Sequence, residues 1–169
     1  MMELILMRHG LAEDREEFAK KSPEDHLRPL TLKGRKRTQK VCMQLRDWID
    51  ELDLIVSSPF TRARQTAEIA SQIFIDKKVI EAPELVPSSP PHAFKRWLRS
   101  HGDEHKRILA VGHEPHLGIL ASYLMADQVE PLLELKKSGV LCLEISSFKN
   151  LAPGTAKLLW LLQPKHIID

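Results

Sequence analysis

The stretch "LILMRHGLAE", residues 4–13, is a run of aliphatic residues that ends in an arginine, a histidine and a glycine. Residues 4–7 have the length and composition of a buried strand. Arg8 and His9 follow at the point where this strand ends. Since an unpaired charge is costly to bury, the strand must bring these two residues either to solvent or into a polar site.

The length and composition are those of an ordinary soluble protein with one domain. The chain has 169 residues, of which 43% are hydrophobic and 28% are charged, so we expect a single domain over residues 1–169. The formal net charge of +2 does not indicate nucleic acid or an anionic membrane as a partner. The basic run at 33–37 lies in a helical pattern and is interpreted as a solvated helix face.

The two cysteines and the absence of long apolar runs indicate a cytoplasmic protein. Cys42 and Cys142 lie in apolar sequence without a second thiol at motif spacing, so we expect buried thiols in a reducing compartment. The first residues do not resemble a signal peptide, and no later run is long enough to span a membrane.

Predicted strands and helices alternate along most of the chain. Thr31 is the expected N-cap of a long helix, and Pro59 is expected at the first position of the next one. We predict strands at 4–7, 53–58, 79–82 and 107–113, helices after 31 and at 61–74, 93–100 and 117–125, and a loop at 87–91. Residues 140–145 and 157–162 are predicted to form an antiparallel hairpin at a sheet edge. This order predicts an α/β fold, a three-layer α/β/α sandwich with a mainly parallel central sheet.

Polar residues follow three of the predicted strands at equivalent positions. The first strand ends in Arg8, His9 and Gly10, the second leads to "SSP" with Arg62 one turn into the next helix, and a later one is followed by His113. Parallel strands bring their carboxyl ends to one edge of the sheet, where α/β folds bind ligands. Each residue taken alone is more often structural, but together they predict one pocket with two arginines and two histidines.

This set of side chains is suited to holding a phosphoryl group. Arginine matches phosphate oxygens with two donors, and His113 is expected as a cationic phosphate contact or as a group that stabilises charge on the equatorial oxygens. His9 can carry the phosphoryl group covalently if one ring nitrogen is free and the other donates a hydrogen bond. Gly10 has no Cβ, so its backbone carbonyl can come close enough to accept that bond. The pattern predicts in-line displacement without a metal.

Three motifs resemble the histidine phosphatase superfamily, which has the phosphoglycerate mutase-like fold. They are "MRHG" at 7–10, "SSPFTRARQTA" at 57–67 and "VGHEP" at 111–115. The short chain, "RPLTLKG" at 28–34 and the final strand pair are similar to SixA-type phosphohistidine phosphatases of bacteria. The resemblance implies that His9 is the phosphorylated nucleophile, that Arg8, Arg62 and His113 form the phosphate pocket, and that no cofactor is needed.

The region after the third strand departs from the pattern of many phosphomonoesterases in that superfamily. Those enzymes carry a catalytic glutamate in an insertion there, whereas "EAPELVPSSPP" at 81–91 has no inserted lid and offers Glu84 as the candidate acid. A protonated imidazole is a good leaving group without such an acid, so the departure favours a phosphohistidine substrate. The sequence therefore predicts a protein phosphohistidine phosphatase in signal transduction, whose partner is a phosphohistidine-bearing domain.

Two other functions remain open at this point. One is a small-molecule phosphomonoesterase with Glu84 as general acid, and the other is a phosphate-recognising module without turnover, against which the intact His9 argues. Glu13 and Asp14 are equally consistent with the rim of the pocket and with a solvated helix start. A metal on His113 and His116 is not favoured, because no further ligand completes the set. A monomer is expected.

Overall fold

A six-stranded sheet with helices on both faces runs through the computed structural model, which describes residues 1–168. The strands are β1 (Met2–Arg8), β2 (Leu54–Ser57), β3 (Val79–Glu81), β4 (Arg107–Gly112), β5 (Val140–Ile145) and β6 (Lys157–Leu162). The helices are α1 (Arg15–Ala19), α2 (Leu32–Trp48), α3 (Thr61–Ile73), α4 (Pro91–His101), α5 (His116–Ala126) and α6 (Pro164–Ile167). Single 3-10 turns lie at Asp25–Leu27 and Pro83–Leu85.

The sheet is parallel in its first four strands and antiparallel in its last two. The strand order is β3-β2-β4-β1-β5-β6, in which β1, β2, β3 and β4 pair in parallel. β5 pairs antiparallel with β1, and β6 pairs antiparallel with β5 at the sheet edge. The predicted sandwich, its mainly parallel sheet and its late antiparallel pair are confirmed.

Alternating side chains of the central strands divide the core into two layers. Leu4 and Leu6 of β1 pack with residues of α4 and α5, such as Phe94 and Leu120, on one face. Ile5 and Met7 pack on the other face with residues of α2, α3 and α6. Because successive strand residues point to opposite faces, a continuous apolar run such as 4–7 requires helices on both sides.

Several helix boundaries differ from the predicted ones. Thr31 caps α2 as predicted, and its hydroxyl accepts a hydrogen bond from Gly34 N at 2.9 Å. The prediction for Pro59 is wrong, because α3 begins at Thr61 and Phe60 is its N-cap. Pro91, predicted in the loop, is the first residue of α4. The short helices α1 and α6 were not predicted, since segments of five and four residues carry too little periodicity.

Both cysteines are buried and free. Burial raises the pKa of the Cys42 thiol to about 12, and the pKa of Cys142 is raised to about 12 by the same cause. They therefore behave as small apolar side chains. Within residues 1–168, no helix has the length and apolar character needed to cross a membrane.

Candidate active site

The register of the parallel strands brings the predicted site residues to one edge of the sheet. Arg8 lies opposite Gly112 in the β1–β4 pair, and Ser57 lies opposite Val111 in the β2–β4 pair. The next residues of the three strands therefore adjoin each other. A cavity of ≈ 520 Å³ opens at this edge, and its lining includes Arg8, His9, Arg62 and His113.

His9 is held so that one ring nitrogen is free. Its Nδ1 lies 2.7 Å from the carbonyl oxygen of Gly10. A carbonyl only accepts hydrogen bonds, so Nδ1 must carry the ring proton and Nε2 must carry the lone pair. Burial lowers the pKa of His9 to about 3, helped by the positive charges of Arg62 and Arg8 and opposed by the Gly10 hydrogen bond. The ring is therefore neutral and nucleophilic at pH 7.

Gly10 is fixed from several sides. Its amide donates to Thr66 Oγ1 of α3 at 3.0 Å, and a Cβ at this position would collide with Thr38 Oγ1 of α2. Thr66 Oγ1 in turn donates to the carbonyl of Arg62 at 2.8 Å. These hydrogen bonds connect Gly10, whose carbonyl accepts from His9, to α3, the helix that carries Arg62.

His113 faces His9 and is anchored differently. The two ring centroids are 5.2 Å apart with the planes at 58°. His113 Nε2 lies 2.8 Å from Ser58 Oγ, and its Nδ1 is buried without a hydrogen-bond partner from residues 1–168. Burial lowers the pKa of His113 to about 2, with His9 and Arg62 adding to the shift. A neutral ring fits the second of the two predicted roles, stabilising charge on the equatorial oxygens, better than the role of a cationic contact.

The two arginines each have an unused donor. Arg8 Nη1 donates to the Leu135 carbonyl at 2.8 Å, and Arg62 contacts the Asp25 carbonyl at 3.1 Å and its carboxylate at 3.3 Å. The Nε atoms of Arg8 and Arg62 are buried and find no partner in the described chain. Burial and the nearby Arg28 lower the pKa of Arg62 to about 10, which leaves it cationic at pH 7. An oxyanion in the cavity would satisfy such donors.

Phe60, the N-cap of α3, positions two of these groups. The Arg62 guanidinium carbon lies 5.2 Å from the centre of its ring, and the His113 ring meets it edge-on at 5.1 Å. An aromatic face attracts a cation and packs well against an imidazole edge.

Arg28 and Asp25 are site residues that the sequence reasoning missed. Arg28 lines the cavity, donates from Nε to Asp25 Oδ1 at 2.9 Å, and donates from Nη1 to the Glu13 carbonyl at 2.8 Å. Burial alone would raise the pKa of Asp25, but its hydrogen bond with Arg28 and the charge of Arg62 outweigh this and lower it. The signal was present, because Arg28 begins the quoted "RPLTLKG" motif.

The carboxylates that line the cavity do not include Glu84, the predicted candidate acid. Glu84 does not line the cavity, and its Oε2 is buried in the 3-10 turn without a partner in the described chain, which counts against its predicted role as acid. Glu114 lines the cavity and accepts a hydrogen bond from Gly118 N at 3.0 Å. Burial raises the pKa of Glu114 to about 7. Glu13 and Asp14 also reach the cavity wall.

No group of three metal-ligating side chains comes together anywhere in residues 1–168. His116, considered above with His113, is buried and neither ring nitrogen has a partner in that part of the chain. The remaining histidines at 26, 92, 101 and 166 are exposed, and the one at 105 is half-buried.

Comparisons with known proteins show the family of this chain. Residues 4–86 match the model of the histidine phosphatase superfamily, branch 1. An uncharacterised protein of Picosynechococcus sp. strain PCC 7002 is 36% identical over 99% of both chains. The chain belongs to the histidine phosphatase superfamily. This membership makes it a phosphatase, and the phosphoglycerate mutase-like fold predicted from the motifs is confirmed.

Several phosphatases resemble the whole chain. Phosphohistidine phosphatase SixA of Escherichia coli K12 is 25% identical, with 98% of this chain and 96% of that protein aligned. A structure of SixA complexed with tungstate superposes with a TM-score of 0.81 at 23% identity, covering 97% of this chain and 98% of that one. Structures of an alpha-ribazole phosphatase from Shigella flexneri and a phosphoserine phosphatase from Entamoeba histolytica superpose with TM-scores of 0.70 and 0.68.

Proposed function

We propose that this superfamily member is a protein phosphohistidine phosphatase that works by two displacements at His9. One observation carries the proposal: the free Nε2 of His9 shares a cavity with three residues that each leave a buried polar atom without a partner in residues 1–168. These atoms are Arg8 Nε, Arg62 Nε and His113 Nδ1. A bound phosphoryl group would accept from the unused donors while the His9 lone pair faces phosphorus.

In the first displacement, Nε2 of His9 attacks phosphorus and forms an N–P bond. The P–N bond of the substrate breaks at the same time, and its electron pair returns to the departing imidazole. Because that ring carries a proton on its other nitrogen, it leaves as neutral imidazole and needs no external acid. The positive charge that now develops on the His9 ring is stabilised by the Gly10 carbonyl, which accepts from Nδ1.

In the second displacement, water attacks the phosphorus of phosphorylated His9. The His9–P bond breaks, its electron pair returns to Nε2, and the proton of the attacking water goes to the released phosphate or to solvent. The Gly10 carbonyl keeps the Nδ1 proton in place through both steps, so His9 returns to the tautomer with which it began. Arg8, Arg62 and His113 hold the transferring oxygens during both steps.

A small phosphohistidine-bearing domain is the direct test. Wild-type protein should release inorganic phosphate from it, and a phosphoenzyme trapped by rapid quenching should carry the phosphoryl group on His9. The variant His9→Ala should release none while still binding tungstate. Release by wild type no faster than by His9→Ala would refute the proposal, and binding without any release would leave a phosphate-recognising module.

A second candidate function, a small-molecule phosphomonoesterase, is favoured by Glu114. Burial raises the pKa of Glu114 to about 7, so this cavity carboxyl holds a proton near neutral pH that an alkoxide leaving group needs. Turnover of an alkyl phosphate that collapses in Glu114→Gln, but persists in Glu84→Gln, would favour the esterase. Equal phosphohistidine turnover in both variants, with slow alkyl phosphate turnover in wild type, would favour the phosphohistidine phosphatase.

A further inference from the structure

A second groove adjoins the active-site cavity and shares three lining residues with it. The basic groove, as we name it, has a volume of ≈ 860 Å³. Arg8, Leu11 and Lys137 line both the basic groove and the active-site cavity. Its other lining residues come from α2, from the segment before β5, and from the end of β6 with the start of α6; they include Lys33, Glu134, Lys136, Gln163 and Lys165.

The basic groove is much more positively charged than the molecule as a whole. Arg8, Lys33, Lys136, Lys137 and Lys165 line the groove together with one carboxylate, Glu134, so among these described residues five cations oppose one anion. The entire chain has a formal net charge of only +2. None of the four lysines forms an ion pair with a carboxylate within residues 1–168. Clustered charges of one sign in a concave surface attract ligands of the opposite sign.

The segment that carries two of these lysines is fastened to the active site. Arg8 Nη1 donates to the Leu135 carbonyl, and Arg8 N donates to the Gly139 carbonyl at 3.0 Å. Ser138 Oγ lies 2.8 Å from Thr38 Oγ1 of α2. The lysine positions are therefore held by the same strand end that presents His9, and little ordering is needed when a ligand binds.

Gln163 fixes the far end of this segment. Its side-chain amide donates to the Glu134 carbonyl at 2.9 Å, and its Oε1 accepts from Lys136 N at 2.9 Å. These two bonds join the segment to the start of α6, which contributes Lys165. The backbone under the groove is thus fixed, and Lys136, Lys137 and Lys165 are exposed above it.

We infer that the basic groove docks an acidic segment of the substrate protein, next to its phosphohistidine, and this inference rests on the proposed function. Charge complementarity sets the sign of the occupant. The apolar residues Leu11, Leu161 and Pro164 also line the groove, and they suit a polypeptide better than a bare polyphosphate. The shared wall at Arg8 and Lys137 places the docked segment directly beside a phosphoryl group in the cavity.

The test uses two synthetic peptides with a central phosphohistidine, one flanked by four aspartates and the other by four serines, together with free phosphohistidine. Wild-type kcat/KM should be 10-fold or more higher for the acidic peptide, and this preference should shrink as salt rises. The double variant Lys136→Glu/Lys165→Glu should lose the preference and retain wild-type turnover of free phosphohistidine. Equal kcat/KM for both peptides in wild type would overturn the inference.

The matched control is Arg96→Glu/Lys149→Glu, which makes the same double charge reversal in a separate basic cavity on α4 and should keep the preference. Binding of the unphosphorylated acidic peptide, followed by fluorescence anisotropy, is independent of turnover. It should weaken 10-fold or more in Lys136→Glu/Lys165→Glu. If no substrate is hydrolysed but this binding pattern holds, the proposed function fails and the docking inference stands. Tighter binding of tripolyphosphate than of the peptide would identify a free polyanion as the ligand and overturn it.

Discussion

His9 and His113 are the same residue type at equivalent strand ends, yet their anchors give them different chemistry. The carbonyl of Gly10 holds Nδ1 of His9, whereas the hydroxyl of Ser58 holds Nε2 of His113. A carbonyl permits one tautomer, so His9 always presents a lone pair. A hydroxyl can donate or accept, so His113 can switch its ring proton as charge develops on a substrate oxygen. Both rings are buried, so the difference in role between His9 as nucleophile and His113 as phosphate contact comes from the group that each ring's anchored nitrogen contacts.

The largest expected effect is the difference between removing the two rings. His9→Ala should abolish turnover, because no other nitrogen in the cavity has its lone pair fixed toward the phosphoryl position. His113→Ala should lower kcat by about 10²- to 10³-fold, the usual effect of losing one donor to a transition state, and should still form phosphorylated His9 slowly. Rapid-quench labelling of both variants measures this. Label on residue 113 in His9→Ala would reverse the assignment.

His116 shows what burial alone does to a histidine near the site. It has no hydrogen-bond partner in the described chain, and burial lowers its pKa from 6.5 to about 4. Since the unfolded chain takes up the proton and the folded one does not, stability is full above pH 6.5 and is lost as pH falls toward 4. The expected loss for this residue is about 3 kcal/mol at pH 4.

The variant His116→Leu measures that contribution without leaving a polar atom unpaired. Urea unfolding at pH 7, 5.5 and 4.5 should show a shallower fall in the free energy of unfolding than in wild type, by about 1 kcal/mol per pH unit. His9 and His113, whose pKa values are lowered to about 3 and about 2, account for further acid loss. Identical slopes in His116→Leu and wild type would show that His116 is not a buried neutral histidine.

The sequence alone predicted the fold and the residues of the inner wall of the site. Both follow from the hydrophobic periodicity of the chain and from which residues stand at the strand ends. Residues 4–7 and 108–112 carry no polar side chain, so they had to be central strands, and parallel pairing then brought Arg8 and His113 together. The misplaced features depend on side-chain direction. Nothing in "EAPELVP" shows that Glu84 lies outside the lining of the cavity, and nothing in "VGHEP" shows that burial would leave His113 neutral. The sequence predicts Ser58 only as the end of a strand, because a local pattern does not show that its hydroxyl contacts His113, 55 residues away.

A smaller effect is expected from Ser58→Ala, which removes the hydroxyl partner of His113 and leaves Nε2 buried and unpaired. We expect kcat/KM for free phosphohistidine to fall about 10-fold, and the free energy of unfolding to fall by about 1 kcal/mol. The matched control is Ser57→Ala, since Ser57 is equally buried but its hydroxyl donates to the Ser58 carbonyl at 2.8 Å. Equal losses of kcat/KM in both variants would mean that the hydroxyl acts on the strand and not on His113.

The smallest effect concerns the charge state of the cavity around the two rings. Burial raises the pKa of Glu114 to about 7, whereas His9, His113 and Arg62 each keep one charge state between pH 6 and 8. Raising the pH from 6 to 8 therefore adds a negative charge at Glu114, and an anion in the cavity should bind more weakly. Micromolar tungstate is a suitable probe, because the monomeric dianion takes up no proton over this range and is too dilute to condense.

The inhibition constant of tungstate should rise about 3- to 10-fold from pH 6 to pH 8 in wild type, as expected for one like charge at a partly exposed site. In Glu114→Gln it should stay nearly constant. Because the amide keeps the acceptor for Gly118 N, the variant removes the charge and preserves the contact. If the inhibition constant rises equally in Glu114→Gln, another group titrates between pH 6 and 8. The assignment of His9 and His113 as neutral over this range would then be rejected first.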